Sequence, residues 1–81
     1  MIRTSTIWHI IKTYVPKRQW VSSEEIYDIV ESHGKLDRED LKPQSPMSHI
    51  PKWKLLVRNV LVDRKNKGKL QWVKDRATRQ V

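Results

Sequence analysis

The 81-residue chain has no cysteine, which excludes a disulfide scaffold, an iron–sulfur centre, a thiol nucleophile and the usual zinc fingers. It has two glycines, Gly34 and Gly68, too few for a glycine-rich phosphate loop. No apolar run approaches the roughly 18 residues of a membrane span, and no hydrophobic signal region follows Met1. The expected setting is soluble and cytoplasmic, or nucleoid-associated if the chain holds DNA. Catalytic signatures are also scarce. His9, His33 and His49 lack metal-ligand spacing, and there is no G-x-S-x-G elbow. The acidic groups Glu24/Glu25/Asp28 and Asp37/Glu39/Asp40 are better explained as helix starts than as a metal site. Neither an enzyme nor a metal, cofactor or small-molecule substrate is expected.

Positive charge is abundant. Seventeen Lys and Arg face nine Asp and Glu, for a net charge of +8. The surplus is one-sided: residues 1–41 hold six basic and seven acidic side chains, whereas residues 42–81 hold eleven basic and two acidic ones. One half is close to neutral, and the other, at +9, is suited to a polyanion. A merely solubilising surface is the alternative. Four tryptophans and regularly spaced Ile, Leu and Val argue against disorder. The length allows a single domain, 1–81 with its core at about 5–73.

Ile7, Ile10, Ile11 and Tyr14 follow i, i+3, i+4, i+7 spacing, which predicts a first helix capped by Thr4, Ser5 or Thr6 and ended by Pro16. Gln19–Val21 reads as an edge strand. Ser22 and Glu25 form a capping box for a second helix over 23–33, with Gly34 as the C′ residue. Residues 36–41 read as a short helical turn capped by Asp37. The proline-bearing stretch 42–51 reads as an extended loop. Pro51 fits the first position of a long helix reaching about Lys67, with Trp53, Leu56, Val57, Val60 and Leu61 as its core stripe. Leu70–Val73 reads as a strand, Asp75-Arg76 as a turn, and Ala77–Val81 as a returning strand. Trp8, Trp20 and Trp72 are expected to pack in the core.

Helix, short strand, helix, loop, long helix and basic hairpin is the order of a winged helix-turn-helix: mainly α, with three main helices and a small two- or three-stranded β wing. The expected function is binding of double-stranded DNA, with the 51–67 helix in the major groove. On its outward side lie Leu55, Arg58 and Asn59, with Lys54 on the flank. A guanidinium suits guanine O6/N7, a side-chain amide suits adenine N6/N7, and Leu55 suits a thymine methyl. Ser48, His49 and Lys52 precede or open that helix, where a phosphate can meet free amides. Lys65, Lys67, Lys69, Lys74, Arg76 and Arg79 fit sequence-independent phosphate contacts. A solvated polar face is the plain alternative for each residue alone.

Three blocks carry a family resemblance: Ser23-Glu24-Glu25-Ile26-Tyr27-Asp28-Ile29-Val30, Leu36-Asp37-Arg38-Glu39-Asp40-Leu41-Lys42-Pro43, and Pro51-Lys52-Trp53 through Val57-Arg58-Asn59-Val60-Leu61. Over about residues 5–73 the chain resembles the winged-helix domain attached to Mrr-like and HNH-type restriction endonucleases. The resemblance implies a DNA-targeting module or a small regulator, with Trp53 and Val57 as core anchors and Arg58 near the backbone or groove. The nuclease domain of those relatives is not in this chain, Arg64 stands where they carry an apolar residue, and no aromatic second wing strand follows Trp72.

A second reading uses Leu55 and Val62, two turns apart on the outward side of the long helix, as a contact for a protein partner or a second copy. Such a winged helix would bind or inhibit a nucleic-acid enzyme. RNA binding stays open, although no RRM or KH signature is present.

Overall fold

Local signals set the second helix most sharply. In the computed structural model, which describes residues 1–16, 18–43, 45–47, 49–73 and 76–78 (backbone only at Val73 and Arg76), this helix spans Ser23–His33. Ser22 Oγ accepts the Glu25 amide at 3.2 Å, satisfying one of the orphan donors of the first turn. Glu24 and Glu25 lie in that turn, where the helix dipole favours negative charge. Numbered in chain order, the elements are α1 (Thr4–Tyr14), β1 (Val21–Ser22), α2 (Ser23–His33), α3 (Arg38–Leu41), α4 (Lys52–Asn66), β2 (Gln71–Val73) and β3 (Arg76–Thr78). Helices dominate, accompanied by a small three-stranded antiparallel sheet in the order β1–β3–β2.

The first helix starts differently from the expectation. Arg3 is its N-cap residue and no side chain caps it, so Thr4, Ser5 and Thr6 all lie inside the helix. The chain just before it is held at long range instead. The fully buried Asp40 carboxylate accepts the Ile2 amide at 3.0 and 3.1 Å and the Asp37 amide at 3.0 Å. Asp37 returns the contact by accepting the Asp40 amide at 2.9 Å, so α3 is closed by a reciprocal capping box. The acidic group 37–40 thus serves as a helix start and as an anchor for the segment before α1.

Ile7, Ile10 and Ile11 are buried against Ile26 and Val30 of α2 and against Trp53, Val57, Val60 and Leu61 of α4. Each such side chain stabilises the fold by about 1.5–3 kcal/mol relative to exposure. Tyr14, assigned to the same stripe, is exposed: the helix stops there, before Pro16, and the phenol stacks on His33 with ring centroids 3.6 Å apart. Trp20 is also outside the core, at 50% exposure, because it precedes the edge strand rather than lying in it. Trp8 and Trp72 are partly buried against the core, as expected.

Pro51 is the N-cap of α4 rather than its first residue, and Gly68, at φ 74°, follows the Lys67 C-cap. Gly34 is required for a reason other than handedness. Its φ is −91°, but a Cβ there would meet the Val30 carbonyl at 2.8 Å and Ile2 Cδ1 at 2.9 Å. The stretch between α3 and α4 is pinched at its neck by the Lys52 amide donating to the Lys42 carbonyl at 2.9 Å and by a Pro43–Pro51 bridge. In the sheet, Ala77 sits opposite Val21 on one side and Trp72 on the other. Strand β3 begins at Arg76, so that residue belongs to the ladder and not to a turn, and the end of the expected returning strand (79–81) lies outside the described residues. Among the described residues no helix is long and apolar enough to cross a membrane.

Candidate nucleic-acid interface

α4 presents its core stripe to α1, α3 and β2, which leaves the opposite side facing outward. At 100° per residue, Lys54, Arg58 and Lys65 fall within about 40° of one another on one flank of that outward side. Leu55, Val62 and Asn66 run along its middle, and Asn59 and Asp63 lie on the far flank. The expected base-reading residues therefore share one helix side, but they are not equally free. Arg58 and Asn59 are exposed and have no hydrogen-bond or ion-pair partner among the described residues.

Lys54 is partly buried, and its Nζ lies 5.4 Å from the Tyr27 ring and 5.7 Å from the Trp53 ring. Those two rings meet edge-on at 89° with centroids 6.1 Å apart, so the ammonium rests over an aromatic corner joining α2 to α4. A cation so placed gains about 0.5–2 kcal/mol from the rings and loses rotamer freedom, which positions its charge. The sequence signal was the pairing of Tyr27 and Trp53 with a lysine adjacent to one of them; their distance in the chain hid it.

Lys52 is engaged otherwise than expected. Its Nζ donates to Glu39 Oε1 at 2.6 Å, and Lys42 pairs with the same carboxylate at 3.2 Å. The Lys52 hydrogen bond, followed by that of Lys42, holds Glu39 below the usual carboxylate range. A phosphate at the start of α4 must therefore compete with Glu39 for this ammonium.

At the other end, Lys65 and Lys69 are exposed with no ion-pair partner among the described residues, while Lys67 pairs with Asp63 at 3.3 Å. Arg64 lays its guanidinium 5.0 Å from the Trp8 ring centroid. It thereby covers an aromatic of α1 with the planar group that an apolar side chain would otherwise replace. His49 is exposed in the loop before α4. Ser48, Lys74 and Arg79 lie outside the described residues, and Arg76 is placed only through its backbone, opposite Ser22 and Val73.

The partner-contact candidates differ in access. Val62 is 42% exposed, whereas Leu55 is half-buried. Trp53 and Val57 are buried, as core anchors should be, and Arg58 is on the surface. Compared with protein families, curated proteins and solved structures, the chain matches none.

Proposed function

We propose that the chain is a winged-helix module that binds double-stranded DNA through the outward side of α4, with the β2–β3 hairpin as the wing, and that it carries no catalytic centre of its own. The observation that carries this reading is the flank of Lys54, Arg58 and Lys65 on α4, beside an unpartnered Asn59, in a half of the chain with a net charge of +9. The element order and the β1–β3–β2 strand order support it, since both are those of winged helix-turn-helix domains.

In this reading α4 enters the major groove. Arg58 and Asn59 read base edges, and Lys54 is held in place by its aromatic corner. Lys65, Lys67 and Lys69 neutralise phosphates where the helix leaves the groove. The resemblance to domains attached to restriction endonucleases makes a targeting role beside a nuclease the first biological setting to consider, and a small transcription regulator the second.

The test is a fluorescence-anisotropy titration of labelled duplex at about 50 and 200 mM salt. Four to six neutralised phosphates should lower affinity by roughly 10²–10³-fold between those conditions. Arg58→Ala should flatten sequence preference if the guanidinium reads a base, or lower all affinities alike and reduce the salt slope by about 0.9 if it meets a phosphate. No binding at low salt would reject the proposal. The exposed Val62 favours one second reading, a protein-binding winged helix, in which Leu55→Asp with Val62→Asp abolishes partner binding and leaves DNA affinity mostly intact.

A further inference from the structure

On the other helix pair, a cleft of about 450 Å³ runs along α1 from Thr6 to Tyr14, beside the end of α2. Its size falls within the range of small-molecule sites, about 300–1,000 Å³. Arg3, His9, His33 and Lys35 line it, and no acidic side chain does among the described residues. That is unexpected for the half of the chain in which carboxylates outnumber cations. Elsewhere carboxylates take up the charge: Glu39 holds Lys42 and Lys52, and Asp63 holds Arg64 and Lys67. Arg3 and Lys35 have no ion-pair partner among the described residues. The Met1 ammonium, also at this cleft, is already matched by Asp37, which is not among the lining residues.

Two further features give the cleft an apolar and planar character. Ile2 and Ile10 contribute hydrocarbon, and Gly34 lies so close that a Cβ there would stand 2.9 and 3.5 Å from their Cδ1 atoms. At the rim, the Tyr14 and His33 rings are stacked within 4° of parallel, and both side chains are exposed. Offset stacking on such a surface is worth about 0.5–1.5 kcal/mol beyond the area buried. The first turn of α1 also lacks a side-chain cap, and Thr6 of that turn lines the cleft.

We propose that this cleft binds a small aromatic anion, a planar ring bearing a phosphate or a carboxylate. The ring stacks at the Tyr14–His33 rim and over the isoleucines, and the anionic group is held by Arg3 and Lys35. None of the α4 residues assigned to DNA lines the cleft, so this site stands whether or not α4 holds a duplex.

The experiment is a two-dimensional amide NMR titration of the whole chain with adenosine 5′-monophosphate and, separately, with 4-hydroxybenzoate. Adenosine and inorganic phosphate serve as ligands with one half of the chemistry each. At least one ring anion should saturate amide shifts at Arg3, Thr6, His33, Gly34 and Lys35 with a Kd of about 0.1–1 mM, and each half-ligand should bind about tenfold or more weakly. Saturation by the nucleotide alone identifies a phosphate ligand, and by the benzoate alone a carboxylate. Arg3→Ala with Lys35→Ala should weaken binding at least about tenfold while leaving the rest of the spectrum in place. Tyr14→Leu should weaken the ring anion and leave inorganic phosphate unchanged. The proposal is overturned if shifts gather on the Lys54–Lys65 side of α4, if a half-ligand binds as tightly as the ring anion that saturates, if the double variant binds like the parent, or if nothing saturates by about 10 mM.

Discussion

Replacing Asp40 by alanine should be among the most damaging single changes to this fold, although the residue touches no proposed ligand. Its carboxylate is fully buried and accepts the Ile2 amide with both oxygens and the Asp37 amide with one. Alanine would strand both donors. The Ile2 amide is buried and should cost about 2–3 kcal/mol, whereas the Asp37 amide is partly exposed and should cost about 1 kcal/mol. Release of the Ile2 side chain, 8% exposed, adds some fraction of the ~1.5–3 kcal/mol that its burial supplies. A loss of about 3–5 kcal/mol is expected, against a total stability of roughly 4–12 kcal/mol for a domain of this length. Urea unfolding with linear extrapolation measures it, and hydrogen exchange at Ile7 and Ile10 reports whether α1 loosens first. Asp40→Asn keeps an acceptor oxygen and should lose only about 1–2 kcal/mol. The reasoning fails if Asp40→Ala costs under about 1 kcal/mol, or if asparagine is as harmful as alanine.

Three other outcomes follow from the same structure. Gly34→Ala should destabilise by about 1–3 kcal/mol through overpacking against Val30 and Ile2, while Gly68→Ala should cost about 1–2 kcal/mol through left-handed strain alone, so asparagine should rescue position 68 and not 34 in thermal melts. Arg64→Met should leave stability unchanged or raise it by about 1 kcal/mol, since it removes a buried Nε donor whose Asp63 partner stands 3.7 Å away, too far for a hydrogen bond, and keeps cover over Trp8; a clear loss would show that the guanidinium and its ion pair matter beyond its bulk. The Asp37 carboxyl is lowered to about 2, first by its hydrogen bond from the Met1 ammonium and then by the Asp40 amide. Its contribution to stability should be complete above the ordinary value of 3.8 and vanish as the pH falls through about 2, and an NMR titration giving a midpoint near 3.8 would contradict the pairing.

The parts of this architecture legible in the sequence are those written at short range. Ser22 and Glu25 are three residues apart, and the helix they start runs over the expected residues 23–33. The spacing of Trp53, Val57, Val60 and Leu61 places the core side of α4, and through it the outward side where Arg58 and Asn59 stand. What could not be read crosses the chain. Asp40 reaches Ile2 over 38 residues, which is why Thr4, Ser5 and Thr6 were plausible caps for a helix anchored from elsewhere. Lys52 and Glu39 are 13 residues apart and separated by a loop with no period, so the engagement of that lysine was invisible. Strands of two or three residues show too little alternation to fix pairing, and nothing in the sequence separates Trp20 from the edge strand that begins at Val21. Tyr14 and His33 each looked like part of its own helix, and only the packing of α1 on α2 brings their rings together at the cleft.

The strand order makes the sheet dependent on the helices. β3 is the central strand, and its partner β1 lies far back in the chain: Ser22 meets Arg76 and Val21 meets Ala77, so even the nearer pair closes a span of 54 residues. Bringing such distant segments together costs roughly 3–4 kcal/mol of chain entropy plus a constant, and a strand of two residues offers little to offset it. The helices α1, α2 and α4 supply the enclosing core, in which Val21 and Ala77 are both buried. The sheet is thus held by the helical core more than by its own ladder.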